Sequence, residues 1–361
     1  MQNSKLLAYY LPQFHPIPEN DLWWGKGYTE WTNVAKAKPL FRNHYQPRIP
    51  ADLGFYDLRL SQTREQQAEM AREAGVYGFC YWHYYFGGGK RLLELPFNEV
   101  LASEKLDFPF CLAWANHSWE NKTWSKDGKN KMLIEQKYGG MEDYKLHFEM
   151  LKQAFCDKRY IKIDGKPLFS IFSVNNWNVA EFLEIWNKLI NESKIAEKFY
   201  FVARIDGEPA TDKVLSLGFD AVTLEPASRY SRFNHESIFQ KILNRISRYF
   251  MQKPTIVEYS KIISKLSNEN FDIKENVIPF ILPNWDHSPR SGIHSFVLHN
   301  STPELFRKHL QNVFEIVKRK ENKLIFLKSW NEWAEGNYME PDLKFGNGYL
   351  EALRDVLREV Q

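Results

Sequence analysis

Short apolar, aromatic-rich runs recur along the chain at residues 6–11, 77–86, 108–115, 167–172, 199–205, 221–225, 277–283 and 324–330. Each reads as a strand buried on both faces, because polar residues do not alternate with the apolar ones. Most are separated by stretches with helical spacing: 61–74 with a serine cap at Ser61, 142–155, 179–191, and 303–319 behind a Thr302 cap. A final helix over 349–360 closes the chain. Eight strand-like runs alternating with helices predict a parallel α/β fold, and eight is the number that closes a (β/α)8 TIM barrel. A doubly wound sheet would instead call for a glycine fingerprint opening a helix. The one glycine cluster, "FGGGK" at 86–90, has neither the GxGxxG nor the GxxxxGK[ST] spacing. The stretch 229–276 is basic and Ser/Asn-rich and predicts an enlarged helical insertion between strands six and seven. No repeat, low-complexity tract or linker interrupts the pattern, so residues 1–361 are expected to form a single catalytic barrel domain.

Composition narrows the functional classes. With 43% hydrophobic residues in 361, a large core is affordable and disorder is excluded. The 48 basic and 45 acidic residues carry no long single-sign run, so nothing marks a nucleic-acid partner. Cys80, Cys111 and Cys156 are odd in number and lack metal-like spacing, which predicts free thiols in a reducing compartment. The N-terminal apolar stretch is broken by Pro12 and no later segment reaches the roughly 18 apolar residues of a membrane span, so a soluble, cytoplasmic chain without an integral membrane segment is expected.

A barrel concentrates its chemistry at the carboxyl ends of the strands. Of the 12 tryptophans, only Trp186 falls inside a predicted helix; the other eleven fall at predicted strand ends or in the loops after them. Polar residues accompany them in "YWHYYF", "AWANHSW", "ARIDGEP", "LEPASRY" and "LPNWDHSPR". Such a mixture suits a flat, hydroxyl-rich ligand, whose C–H faces stack on rings while its hydroxyls bond to amides, carboxylates and imidazoles. Sugars fit it best. At the end of the eighth run, "KSWNEWAEGNYMEP" sets Glu332 and Glu335 three apart. On an extended strand they would face opposite ways, but a turn through residues 333–336 brings i and i+3 to one side, and Gly336 tolerates the positive φ that such a turn needs. Two carboxyl groups in one pocket are pushed into different protonation states, the division of labour that glycoside cleavage requires. The bland alternative is a pair of loop glutamates, one bonded to Lys328.

Four motifs carry a family resemblance: "AYYLPQFHPIPENDLWWGKGYTEWTNV" at 8–34, "GFCYWHYYFGG" at 78–88, "LAWANHSW" at 112–119 and "SWNEWAEGNYMEPD" at 329–342. They resemble the WbsX family of polysaccharide-biosynthesis proteins, which in turn resembles glycoside hydrolase family 99, the endo-acting α-mannosidases and α-mannanases. The resemblance spans nearly the whole chain. It implies a (β/α)8 barrel, no metal or organic cofactor, and retaining cleavage of α-mannosidic bonds through the sugar's own 2-hydroxyl. It further implies that Glu332 deprotonates that hydroxyl and that Glu335 protonates the leaving oxygen. Ala334 departs from the pattern, since the hydrolases usually carry histidine there.

Further substrate-binding candidates are Tyr10 and His15 after the first strand, Trp82, His83 and Tyr84 on the second, and Trp114, Asn116 and His117 after the third. Glu225 follows the sixth, Trp285 and Asp286 the seventh, and Trp330, Asn331 and Trp333 the eighth; Glu30 and His287 are also candidates. Four histidines lie at these positions, but no HxH or HExxH spacing supports a metal. Arg229, Arg232, Arg245 and Arg248 read as a solvated face, or as a contact for an anionic glycan or lipid-linked phosphate. Three classes follow. The first is a carbohydrate-active enzyme cleaving or transferring α-linked units of an oligosaccharide or polysaccharide. The second is a nucleotide-sugar or lipid-linked-sugar glycosyltransferase of lipopolysaccharide biosynthesis. The third is a noncatalytic glycan-binding barrel.

Overall fold

The computed structural model describes residues 4–121, 131–224, 250 and 252–360. Its centre is a ring of parallel strands: β1 (Lys5–Tyr10), β2 (Gly78–Tyr85), β3 (Phe110–Trp114), β4 (Lys166–Ile171), β5 (Tyr200–Arg204), β6 (Ala221–Thr223), β7 (Val277–Ile278 and Phe280–Ile281) and β8 (Leu324–Leu327). Neighbours in the ring follow chain order, and β1 sits between β2 and β8. Closure falls to β7. Its first half pairs with β6, Val277 opposite Val222, and its second half with β8, Phe280 opposite Phe326. Pro279 divides the two halves because it has no N–H to give a ladder, although its carbonyl still accepts from Phe326 N at 3.0 Å. The architecture is the expected TIM barrel, with helices between its strands.

Five predicted helices stand near their expected limits, at Ser61–Glu73, Gly140–Cys156, Val179–Glu192, Pro303–Val317 and Gly348–Val360. Thr302 caps the fourth of these, its Oγ1 accepting from Leu305 N at 3.3 Å. Ser61 is the first helical residue rather than a cap, and Leu60 before it makes no side-chain cap bond. Three tryptophans expected in loops are helical: Trp23 and Trp24 in Pro18–Trp24, and Trp31 in Glu30–Lys36. Pro18 stands in the first turn of the former, where its preset φ helps and its missing N–H costs nothing. The described part of the insertion is not purely helical. Thr255–Glu258, opening with the β-branched run Thr-Ile-Val, forms a parallel pair with Phe296–His299, and short helices follow at Tyr259–Ile262 and Glu269–Asp272. Glu225 and the four insertion arginines lie outside the described residues.

The barrel interior is aromatic towards the carboxyl ends of its strands. Tyr9 of β1 stacks on Trp82 of β2 at 4.6 Å and on Phe280 of β7 at 5.5 Å, and meets Phe326 of β8 at 5.0 Å. Its hydroxyl lies 3.4 Å from Ser170 Oγ, across the barrel on β4. Between strands and helices, Trp186 is fully buried against Phe169 and Phe199. All three cysteines are free thiols. No described helix is long and apolar enough to cross a membrane.

Candidate active site

A cleft of about 430 Å³ opens at the carboxyl ends of the strands, above the aromatic plug. Each part of its wall comes from a different strand end. Leu11 and Gln13 follow β1; Trp24, Glu30 and Asn33 come from the two helices after it, and Tyr28 from the loop between them. Trp82 and Tyr84 end β2; His117, Trp119 and Glu120 follow β3, and Phe172 follows β4. His287 and Arg290 follow β7, and Lys328, Glu332 and Glu335 follow β8. The lining is therefore part aromatic and part ionic.

The chain beyond β8 is tied down before it turns. Asn331 is buried and pairs with the backbone of Leu11, its Oδ1 accepting from Leu11 N at 2.7 Å and its Nδ2 donating to Leu11 O at 3.0 Å. Residues Trp333–Glu335 make a single 3-10 turn that ends at Gly336 with φ 66°. A Cβ on Gly336 would lie 2.8 Å from Asp286 Cβ and 2.9 Å from Asp286 N, so both the backbone conformation and the space demand glycine. The turn brings both carboxyl groups to the cleft.

Arg290 binds three carboxylates. Its Nε donates to Glu30 Oε1 at 2.9 Å and its Nη1 to Glu335 Oε1 at 2.5 Å, with Glu332 Oε1 3.6 Å from the same nitrogen. Lys328 Nζ lies 3.8 Å from Glu335 Oε2, and His287 Nε2 lies 3.6 Å from Glu335 Oε1. Glu332 accepts from Ser329 Oγ at 3.2 Å. The two glutamates are driven apart in acidity. Burial and the charge of Glu335 raise Glu332 above the usual carboxylate range. Burial also opposes ionisation of Glu335, but the charges of Arg290 and Lys328 outweigh it and hold this group below that range. Burial lowers His287 below the ordinary imidazole range, against the opposing charge of Glu335.

Asp286 works beneath the cleft rather than in it. It is fully buried, accepting from His44 Nε2 at 2.9 Å, Gln46 Nε2 at 2.7 Å and Ser288 N at 3.0 Å, while its own N donates to Glu335 O at 2.7 Å. It thus joins the turn carrying Arg290 to the turn carrying Glu335. Burial would raise this carboxyl, yet the His44 bond and the Arg48 charge hold it well below the ordinary range.

Of the substrate-binding candidates, Glu30, Trp82, Tyr84, His117 and His287 line the cleft beside Glu332 and Glu335. The other candidates among the described residues do not line it. Tyr10 donates to Gln67 Oε1 at 2.6 Å on the outer side of β1, and His15 bonds through Nδ1 to Pro12 O at 2.9 Å. His83 is a buried core histidine whose Nε2 lies 2.8 Å from His147 Nε2. Trp114 is sealed in the core and donates to Tyr85 O at 2.9 Å. Asn116 spends both ends of its amide on the backbone of Ser173, at 2.7 Å each, joining two loops. Trp330 and Trp333 are fully buried, and Trp285 stands behind Lys328, whose Nζ is 5.1 Å from its ring centroid. Arg290 escaped the sequence reading although "NWDHSPR" contains it. Tyr28 and Phe172 escaped too, and only their nearness to strand ends could have flagged them. Among the described residues, no group of three or more His, Cys, Asp or Glu side chains could hold a metal ion.

A family model described as "Glycosyltransferase WbsX" matches residues 6–353. Among curated proteins, the chain is 33% identical over 360 residues to the uncharacterized protein WxcX of Xanthomonas campestris pv. campestris, covering 98% of this chain and 50% of that protein. A second strain's WxcX is 32% identical over 373 residues at the same coverage. The chain spans about half the length of the curated relatives it matches. Among solved structures, a glycoside hydrolase-like protein superposes with a TM-score of 0.57 at 15% identity, covering 99% of this chain and 94% of the other. The GH99 endo-alpha-mannosidase from Bacteroides thetaiotaomicron gives 0.56 at 14%, covering 100% and 98%. At these identities the likeness to solved structures is one of fold.

Proposed function

The chain belongs to the WbsX glycosyltransferase family, and from that premise and the geometry of the cleft we propose a carbohydrate-active enzyme that cleaves or transfers α-linked, mannose-like units of a surface polysaccharide. The observation that carries the reading is the placement of Glu332 and Glu335 together in one aromatic-walled cleft with opposed acidities. The aromatic lining of Trp24, Trp82, Trp119 and Phe172 offers ring faces to the apolar side of a sugar. The ionic lining offers hydrogen-bonding groups to its hydroxyls. One carboxyl group takes the proton of the attacking hydroxyl, in the retaining course the sugar's own 2-hydroxyl, while the other gives a proton to the leaving oxygen. The acceptor that completes the reaction is water for hydrolysis or a sugar hydroxyl for transfer.

Glu332→Gln and Glu335→Gln test the reading against a panel of α-linked oligosaccharides and nucleotide sugars, followed by product mass. Each variant should lose at least about a hundredfold in turnover, the scale of general acid–base catalysis, while keeping the folded circular-dichroism spectrum of the parent. Full activity in both would remove the glutamates from the chemistry. Glycan binding by the unaltered chain, with no product from any substrate, would favour the noncatalytic barrel.

A further inference from the structure

The part of the cleft formed after β1 carries a chain of hydrogen bonds that ends on a phenol. Arg290 Nε donates to Glu30 Oε1 at 2.9 Å, and Asn33 Nδ2 donates to the same oxygen at 3.2 Å. Asn33 Nδ2 also donates to Tyr28 Oη, at 2.6 Å. An oxygen that accepts from a guanidinium offers a lone pair and not a proton, so the end of the Asn33 amide turned towards it is the NH2 group rather than the carbonyl. The phenol oxygen of Tyr28 is therefore an acceptor in its bond with Asn33, and the phenol's own proton is left over. Among the described residues nothing accepts that proton, although Tyr28 is only 9% exposed and lines the cleft with Glu30 and Asn33. Burial and the charge of Glu30 raise Tyr28 above the ordinary phenol range, so the proton stays on its oxygen. The ring is held in place from its own loop. Gly27 N donates to Asp21 Oδ1 at 2.8 Å, Tyr28 N donates to Gly25 O at 3.2 Å, and the ring centroid lies 5.9 Å from that of Trp24.

We infer that Tyr28 is a specificity-determining residue of the cleft, donating its phenol proton to a hydroxyl oxygen of the bound sugar. The inference rests on the glycan reading proposed above and names one contact within it. Asn33, oriented by Glu30, sets the direction of the bond: the phenol gives a proton, so the group opposite it must be an oxygen with a lone pair to offer. A sugar without that hydroxyl leaves a buried O–H unpaired. A site built to bond a hydroxyl rejects such an analogue far more strongly than an apolar surface does. Arg290 is bonded to Glu30 through Nε and to Glu335 through Nη1, so its guanidinium separates this chain of bonds from the reacting pair. Tyr28 thus selects the sugar and takes no part in the proton transfers.

The hydrogens can be located without substrate, by neutron diffraction from crystals of the unaltered protein exchanged into D2O. Asn33 should direct deuterons at both Glu30 Oε1 and Tyr28 Oη, with the Tyr28 deuteron turned into the cleft. A Tyr28 deuteron on the line to Asn33 would overturn the donor assignment. An α-linked mannotriose and its monodeoxy analogues then test the contact, followed as kcat/KM where the sugar is turned over and as Kd where it only binds. Tyr28→Phe, with the folded circular-dichroism spectrum of the parent, should weaken the mannotriose by roughly tenfold to a hundredfold. Removal of one particular hydroxyl should cost the parent about the same factor and cost Tyr28→Phe almost nothing, the signature of a direct pair. Equal penalties in the two proteins at every position would overturn the contact. A parent that neither turns over nor binds the mannotriose overturns the mannose-like reading and the sugar contact together, while the neutron map still decides which way the phenol proton points.

Discussion

Two carboxyl environments a few residues apart in the chain are both buried but differ in the charge of their partners. Glu332 and Glu335 face the cleft among Arg290, Lys328 and His287. Glu340, 2% exposed, accepts only neutral donors in its hydrogen bonds: Trp333 Nε1 at 2.6 Å, Gln67 Nε2 at 2.6 Å and Tyr56 Oη at 2.9 Å. Burial raises Glu340 to about 7, and the bonds from Trp333, Gln67 and Tyr56 only partly oppose it. Cations can choose which member of a pair is charged; neutral donors mainly hold a side chain in place. Glu340 is accordingly a scaffold. It pins Trp333, which lies between the two cleft glutamates and stacks on Tyr338 at 3.8 Å.

That contrast breaks first in Glu340→Ala. Three buried donors would lose their acceptor, each at roughly 1–3 kcal/mol, so unfolding in urea should show a loss of about 3 kcal/mol or more. Parent-like stability of Glu340→Ala would deny the scaffold role.

A smaller loss is expected from Gly336→Ala, which strains the turn at φ 66° and pushes a methyl against Asp286. Roughly 1–3 kcal/mol should appear as a lower melting temperature, with the turnover of the cleft falling as the Glu335 turn shifts. An unchanged melting temperature would mean that the turn yields freely and does not fix the pair.

The subtlest signal is the pH dependence of stability. Glu340 has a folded-state value above its ordinary 4.5, so the folded chain holds this proton more tightly than the unfolded chain does. Its contribution is complete below about pH 4.5 and is lost as pH rises through about 7; Glu332, also raised, acts in the same direction. Glu340→Gln should flatten the fall in denaturant midpoint across that window. A slope identical to the parent's would assign the titration to other groups.

The order of elements was legible because each barrel strand is a local apolar run that needs no distant residue to be recognised. The turn after β8 was legible as well, since glutamates three apart followed by glycine have few ways to share a pocket. Which side chains of a strand look inward was not. In "YWHYYF" the even residues Trp82 and Tyr84 reach the cleft, while His83 faces His147 and Tyr85 faces the helix layer, its ring 3.9 Å from that of His147. Every residue of β2 except Trp82 is buried, so hydrophobicity carries no record of the face.

The sequence by itself therefore determined the barrel, the end of it that carries the cleft, and the pair of glutamates. The tertiary structure decided strand parity, which follows only from closing the ring, and sent Tyr10, His83 and Trp114 to the outer layer. It also decided the electrostatics of the pair. Arg290 and Glu332 stand far apart in the chain and meet because β7 and β8 are neighbours in the ring. An ion pair of that kind depends on distance in space and on burial, and no local pattern of residues encodes either.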